Sequence, residues 1–309
     1  MALYVNTNVS SINGRRNLTN ATNNLNTTYQ RLSSGMRINS AKDDAAGLQI
    51  SDRLSSQING LNQGNRNTND GIALAQTMEG AMDEMTTMLQ RIRTLAVQSS
   101  NGTNSAADRE AIQQEVTQLS NEITRISCQT KFGGEKIMSA VSQNKPSGLI
   151  KDDGSITFQV GAYTGDTLTV TGLSNGFTMS GIASQGDSGT PLNGNVNNNG
   201  MIQTGDGLGR FAVSTQDDAT KAITGVDKMI AAIDKQRSKL GAIQNRMEST
   251  IRNQSNISMN VSDARSRIRD TDFAEESAKL SQQSIIQQAA SSMLTQANAR
   301  PQIALSMLG

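Results

Sequence analysis

The strongest constraint on this chain is a series of apolar residues that recurs at alternating steps of four and three. Ten of its thirteen positions are apolar. A mean step of 3.5 residues keeps these side chains on one side of a helix, and predicts about six heptads that pack lengthwise against another helix. The series is Leu54, Ile58, Leu61, Asn65, Thr68, Ile72, Ala75, Glu79, Met82, Met85, Leu89, Ile92 and Ala96.

Two further segments repeat this spacing and predict two more long helices. Ser40 and Asp43 resemble a capping box before the first helix, and Ser105 is a candidate N-cap for the second. Asp217 and Asp218 place negative charge where the third should begin. The two series are Ile112, Val116, Leu119, Ile123 and Ile126, and then Val226, Ile230, Ile233, Arg237, Leu240, Gln244, Met247 and Ile251.

Both ends of the chain carry weaker helical stripes, in which the other faces are Asn, Gln, Ser and Thr. Such helices bury little apolar surface alone, so we expect them to be disordered until they pair with other helices. The stripes are Leu18, Ala21, Leu25, Thr28 and Leu32 near the beginning, and Leu280, Ile286, Ala290, Met293 and Ala297 near the end.

The middle of the chain differs in composition, because residues 131–216 hold 16 of the 27 glycines. Residues 155–160 and 167–170 alternate in polarity and predict a β-hairpin. Residues 184–209 are rich in turn formers and predict an exposed loop or a small, weakly packed subdomain. The expected fold class is mainly α: a long antiparallel helical hairpin or coiled-coil bundle with a small, Gly-rich middle segment that contains a β-hairpin.

Composition excludes several kinds of chemistry. The chain has no His and one Cys, which excludes a Ser-His-Asp triad, a disulfide within the chain and a Cys-cluster metal site. We therefore expect no catalytic site, no metal and no cofactor. The 28 basic and 27 acidic residues balance, so no nucleic-acid or membrane partner is expected. Neither a cleavable signal peptide nor a transmembrane span is visible.

Five motifs in order resemble those of bacterial flagellins. They are VNTNVSS at 5–11, RLSSGMRINSAKDDAAGL at 31–48, LQRIRTLAVQ at 89–98, FQVG at 158–161 and RIRDTDFAE at 267–275. The resemblance implies an inner coiled-coil domain of residues 1–44 with 268–309, and an outer helical bundle with a β-hairpin, of residues 45–172 with 210–267. Residues 173–209 would form a variable exposed loop or small subdomain.

The resemblance also implies the function. Flagellins are structural subunits that self-assemble into the hollow helical filament of the flagellum, the extracellular propeller for swimming. The implied partners are other copies of the chain, the flagellar cap and hook-filament junction proteins, an export chaperone and the type III export gate. Composition and helical spacing leave two alternatives open: a hook-filament junction protein, and a coiled-coil signalling bundle of another class.

Two sets of site residues are predicted. The terminal stripes point to polymerisation contacts at Leu18, Leu25, Leu32, Leu280, Ile286 and Met293. The resemblance further implies that Arg91, Leu95 and Glu115 belong to a patch bound by an animal Toll-like receptor. Arg91 and Leu95 are four residues apart and should share a helix face. The alternative is that Arg91 and Glu115 are ordinary solvated charges, or an interhelix ion pair worth under about 1 kcal/mol.

Overall fold

A computed structural model describes residues 7–139, 149–151, 153–173, 176–186, 200–203 and 209–306. The chain divides into two compact units: a terminal unit of Met1–Asn59 with Ile257–Gly309, and a central unit of Gly60–Asn256. The elements are α1 (Val9–Ser34), α2 (Ala45–Ser100), α3 (Ala106–Gln129), β1 (Lys131–Phe132), β2 (Glu135–Lys136), β3 (Ile156–Gln159), β4 (Thr167–Val170), α4 (Met179–Gly186), β5 (Met201–Gln203), β6 (Gly209–Phe211), α5 (Gln216–Arg269) and α6 (Phe273–Ser306). In the described part of the chain, no helix is both long and apolar enough to cross a membrane.

The mainly helical fold class is confirmed, with three separate two-stranded antiparallel pairs among the described residues. The contact-based units differ from the predicted domain bounds, because the terminal unit also takes in the start of α2 and the end of α5.

The start of α2 corrects one predicted cap. Asp44, not Ser40, caps this helix, because its Oδ1 accepts a hydrogen bond from the backbone N–H of Gly47 at 2.9 Å. Ser40 and Asp43 form a turn just before it, in which Asp43 Oδ2 accepts from the Ser40 and Asn39 backbone N–H groups. These hydrogen bonds, that from Ser40 foremost, lower the pKa of Asp43 below its usual value.

The other two predicted helix starts are confirmed. Ser105 caps α3 in a capping box with Asp108, and the hydrogen bond from the Ser105 side chain lowers the pKa of the Asp108 carboxyl. Thr215 Oγ1 accepts from the backbone N–H of Asp218 at 3.2 Å, which places Asp217 and Asp218 in the first turn of α5.

In the central unit, α2 packs between α3 and α5. The predicted positions of all three series are buried or half-buried within the described residues. The polar members of the α5 series also contact α2. Arg237 NH2 lies 3.1 Å from Asp83 Oδ1, and Gln244 Nε2 donates to Glu79 Oε2 at 2.9 Å. The residues at alternating steps of four and three therefore form the contacts between helices that pack lengthwise, as the sequence predicts.

The predicted hairpin is present as β3 paired with β4, and it lies directly on α2. A Cβ added to Gly64 would lie 2.0 Å from the carbonyl oxygen of Val160, the residue that follows β3. The same carbonyl accepts a hydrogen bond from the buried side-chain amide of Gln254 on α5. Gly64 is thus required by the close approach of the hairpin backbone.

We predict that Gly64→Ala destabilises the protein by at least about 2 kcal/mol, because the new methyl group would force the hairpin off α2. Gly80→Ala in the same helix is the matched control, since nothing lies within 4 Å of its added Cβ. It should stabilise the protein by up to about 1 kcal/mol through helix propensity. Urea unfolding followed by circular dichroism measures both; equal effects of the two variants would contradict the assignment.

The described part of the middle segment contributes to the core, not to an exposed loop. Its buried side chains are Leu173, Phe177, Met179, Ile182, Met201 and Phe211. Gly200, at φ +71°, lies so close to α5 that an added Cβ would be 2.5 Å from the backbone nitrogen of Ala222. The expectation that residues 184–209 pack weakly is therefore wrong for residues 200–201 and 209, while residues 187–199 and 204–208 lie outside the described residues.

We predict that Met201→Ala costs about 2–5 kcal/mol of unfolding free energy, because Met201 is 2% exposed and its truncation leaves a cavity. Met259→Ala is the control, since that side chain is 65% exposed; it should change stability by less than about 0.5 kcal/mol. A Met201→Ala protein with an unchanged denaturation midpoint would show that the middle segment does not support the core.

In the terminal unit, α1 and α6 run antiparallel along each other. Asn8 Nδ2 donates to the Ala297 carbonyl at 2.7 Å, and a Cβ on Gly14 would lie 3.7 Å from Leu294 Cβ. Past the C-terminus of α1 the chain reverses at Gly35, which takes the left-handed φ of +68°. The Gly35 carbonyl then accepts from Thr271 N at 3.0 Å, which ties the α1–α2 connection to the α5–α6 connection.

Candidate assembly and recognition surfaces

The predicted stripe of α1 faces α6. Leu25 is buried, and Leu18 and Leu32 are half-buried. On α6, Leu280 is half-buried. Four of the six predicted polymerisation residues therefore lie in the contact between α1 and α6. Their role in polymerisation remains a prediction.

Ile286 and Met293 do not face α1, which corrects the stripe expected on α6. Their exposed fractions are 41% and 69%. Each sits one residue before a position that does face α1, so each is rotated by about 100° around the helix. The buried or half-buried series on α6 is Glu276, Leu280, Gln283, Gln287, Ala290, Leu294 and Ala297.

A groove of about 760 Å³ runs beside the contact between α1 and α6. Its α1 wall consists mainly of asparagines at alternating steps of four and three, and its α6 wall combines glutamines with Ile286 and Met293. Amide groups can both donate and accept hydrogen bonds, so such walls suit another polar helix. The lining side chains include Asn13, Asn17, Asn20, Asn24, Gln283, Ile286, Met293 and Gln296.

Sequence reasoning missed this asparagine series, although its spacing is visible in the sequence. A search for apolar periodicity gives no weight to asparagine.

Exposed apolar side chains are concentrated in the terminal unit. Of the eleven large hydrophobic residues that are exposed in the described part of the chain, nine belong to it. Such a concentration in one unit makes the terminal unit the candidate region for contact with another protein. The nine are Val9, Ile12, Tyr29, Ile50, Met259, Phe273, Ile285, Ile286 and Met293.

The predicted receptor patch is only partly exposed. Arg91 on α2 and Glu115 on α3 form an ion pair, with NH2 and Oε1 2.8 Å apart and side chains 55% and 44% exposed. Leu95 is 2% exposed and belongs to the central core, so its inclusion in a surface patch is wrong. Because α2 contacts both α3 and α5, its buried face is wider than one stripe and includes Leu95.

Within the described residues, no three His, Cys, Asp or Glu side chains come together as a metal site. Cys128 is a half-buried free thiol.

The structure is that of a mainly helical protein whose exposed large apolar side chains are concentrated in the terminal unit. Profiles of the bacterial flagellin N-terminal and C-terminal helical regions match residues 5–143 and 223–308. The chain belongs to the bacterial flagellin family, a family of structural proteins, and the resemblance seen in the five sequence motifs is confirmed.

Full-length relatives support this membership. Flagellin B of Vibrio cholerae is 38% identical over 376 aligned positions, and the B-type flagellin of Pseudomonas aeruginosa is 35% identical over 487. Both alignments cover 100% of this chain and 100% of the relative.

A solved structure shares the fold. A putative flagellar hook-associated protein from Vibrio parahaemolyticus has a TM-score of 0.56 at 14% identity, and covers 74% of this chain and 100% of its own. A Bacillus cereus flagellin gives a TM-score of 0.45 at 26% identity, over 61% of this chain and 88% of its own.

Proposed function

We propose that this chain, a structural subunit of the bacterial flagellar filament, polymerises through the exposed side of its terminal helix pair. The concentration of exposed apolar side chains in the terminal unit carries the proposal. Covering one side chain such as Ile285 or Met293 contributes roughly 1.5–3 kcal/mol. A few such contacts, repeated at every subunit, offset the cost of immobilising a subunit in a polymer.

The amide-lined groove supports the same proposal. Its asparagines and glutamines form a hydrogen-bonding surface with apolar members at Ile286 and Met293. A polar helix of another copy would satisfy these amides while covering the apolar groups. Buried amides without partners are costly, so a mismatched helix would be disfavoured and the contact would be specific for this chain.

The terminal helices are expected to be helical when paired and disordered in the free subunit. Their contact buries few large apolar residues, which offsets little of the entropy lost on ordering. Polymerisation would then order the termini and the subunit contacts together.

We predict that deleting residues 280–309 leaves a soluble, helical monomer that cannot form filaments, because most of α6 is lost while the central core is intact. Sedimentation and electron microscopy measure assembly, and circular dichroism measures helicity. Filaments formed by the truncated chain would refute the proposal.

Point variants sharpen this test. Ile285→Ser should weaken assembly, raising the critical concentration at least about tenfold. Val97→Ser is the control, because Val97 is also exposed, at 47%, but lies in the central unit. Equal effects of the two substitutions on assembly would contradict the proposal that the subunit polymerises through the terminal unit.

The remaining partners are proposed from family membership. The subunit would leave the cell through the type III export gate with the help of an export chaperone, and become part of an extracellular filament. Assembly would take place under the flagellar cap, next to the hook-filament junction proteins.

Recognition by an animal Toll-like receptor is proposed for Arg91 and Glu115, without Leu95. Both side chains are exposed enough to be touched by a partner, and a partner would desolvate the ion pair they form. Charge-assisted hydrogen bonds lose about 1.5–3 kcal/mol when one member is removed from a buried contact.

We predict that Arg91→Ala weakens receptor activation by monomeric protein at least about tenfold, whereas the folding free energy changes by less than about 1 kcal/mol. The matched control is Arg125→Ala, which removes another exposed ion pair, with Glu122 on α3. A reporter-cell assay measures activation. If Arg91→Ala activates as the parent protein does, or Arg125→Ala is equally weakened, the patch is not the recognition site.

A further inference from the structure

The contact between α1 and α6 fully buries few large apolar side chains, because most of its leucines are half-buried. Its buried hydrophobic members are Ala21 and Leu25 on α1, and Ala290 and Ala297 on α6. The leucines of α1 in this contact, Leu18, Leu25 and Leu32, are seven residues apart, so sliding α1 by one heptad would replace one leucine by another. Apolar packing alone therefore selects the alignment of these helices weakly.

Charged residues occur only near particular points of the two helices. Residues 17–30 of α1 and residues 280–299 of α6 contain no charged side chain. The basic residue nearest the C-terminus of α1 is Arg31, and the start of α6 carries Glu275, Glu276 and Lys279. The antiparallel pairing brings these two charged ends together.

Glu276 is buried in the contact between the helices, with 3% of its surface exposed. Its Oε1 lies 3.8 Å from NH1 of Arg31, whose side chain is 28% exposed. Among the described residues, this Oε1 accepts no hydrogen bond. Lys279 Nζ lies 3.6 Å from Oε2 but is closer, at 2.8 Å, to Glu275. Arg31 is therefore the cation of α1 that compensates the buried carboxylate.

We propose that the Arg31–Glu276 pair fixes the register of α1 on α6. A slide of one heptad would place Glu276 opposite Asn24 and leave a buried carboxylate without its cation from α1. A slide in the other direction would carry Glu276 past Ser34, the last residue of α1. A buried ion pair adds little net stability, but the cost of breaking it excludes wrong alignments. This pairing lies within one chain, so the inference holds independently of polymerisation.

Disulfide cross-linking can report the register directly. An ideal Cβ on Gly14 lies 3.7 Å from Leu294 Cβ, within the range of a disulfide. The Gly14→Cys/Leu294→Cys pair therefore reports the native register, and Gly14→Cys/Gln287→Cys reports a slide of one heptad. Both pairs are placed in the full-length chain with Cys128→Ser and oxidised under assembly conditions.

We expect the native cross-link to dominate when Arg31 and Glu276 are present. Glu276→Gln should lower the ratio of native to shifted cross-link at least about fivefold, because a neutral amide tolerates either alignment. The control is Glu275→Gln, which removes an exposed carboxylate that contacts the same Lys279 and should leave the ratio unchanged. An unchanged ratio in Glu276→Gln, or an equal fall in the control, overturns the proposal.

A second variant decides the case in which Glu276→Gln gives neither cross-link. Arg31→Gln/Glu276→Gln removes both charges and leaves no lone charge at the contact. Both cross-links in this double variant support the register role. The native cross-link alone, or neither cross-link, overturns it, because the charges would then be unnecessary for alignment or would be required for pairing itself.

Discussion

Lengthwise packing of α2 between α3 and α5 is the interaction on which the central unit depends. The apolar side chains of α2 recur at a mean step of 3.5 residues, and those between Leu74 and Ala96 share one core with side chains of α3 and α5. Two polar members of the α5 series contact side chains of α2, Arg237 with Asp83 and Gln244 with Glu79. The β-hairpin and the described middle segment then complete this core, the hairpin through its close approach to Gly64 and the middle segment through residues such as Met201 and Phe211.

The terminal unit follows a different chemistry. Its two helices meet through alanines, amide side chains and mostly half-buried leucines, with one buried carboxylate at Glu276. Such a contact leaves apolar groups such as Ile285 and Met293 uncovered, in accord with a surface completed by other subunits. The position of each charge is then important for the alignment of the helices, since the leucines of α1 repeat every seven residues and select one alignment only weakly. Family membership and the distribution of exposed residues thus support the same account of a filament subunit.

Site residues were harder to predict than helices. Arg91 and Glu115 form the interhelix ion pair that was the alternative interpretation of these residues, whereas their role in receptor recognition stays a prediction. The prediction that Leu95 belongs to a surface patch is wrong, because a spacing of four residues shows only that two side chains lie on the same side of one helix. Whether that side faces solvent or a second neighbouring helix depends on how many helices pack there. The prediction that Ile286 and Met293 share the stripe of Leu280 is wrong for a related reason, since α6 carries apolar residues on more than one face.

Local spacing, capping chemistry and short motifs are enough to predict the long helices, the start of α3 at Ser105, the acidic first turn of α5, the hairpin and the family. These patterns do not predict which side of α6 meets α1, the burial of Leu95, or the packing of Gly200, Met201 and Gly209 into the core. Those outcomes depend on contacts between residues distant in sequence, such as Gly200 with Ala222 and Arg31 with Glu276. A periodic apolar pattern predicts that one face of a helix is buried. Which helix covers that face depends on packing across the whole unit.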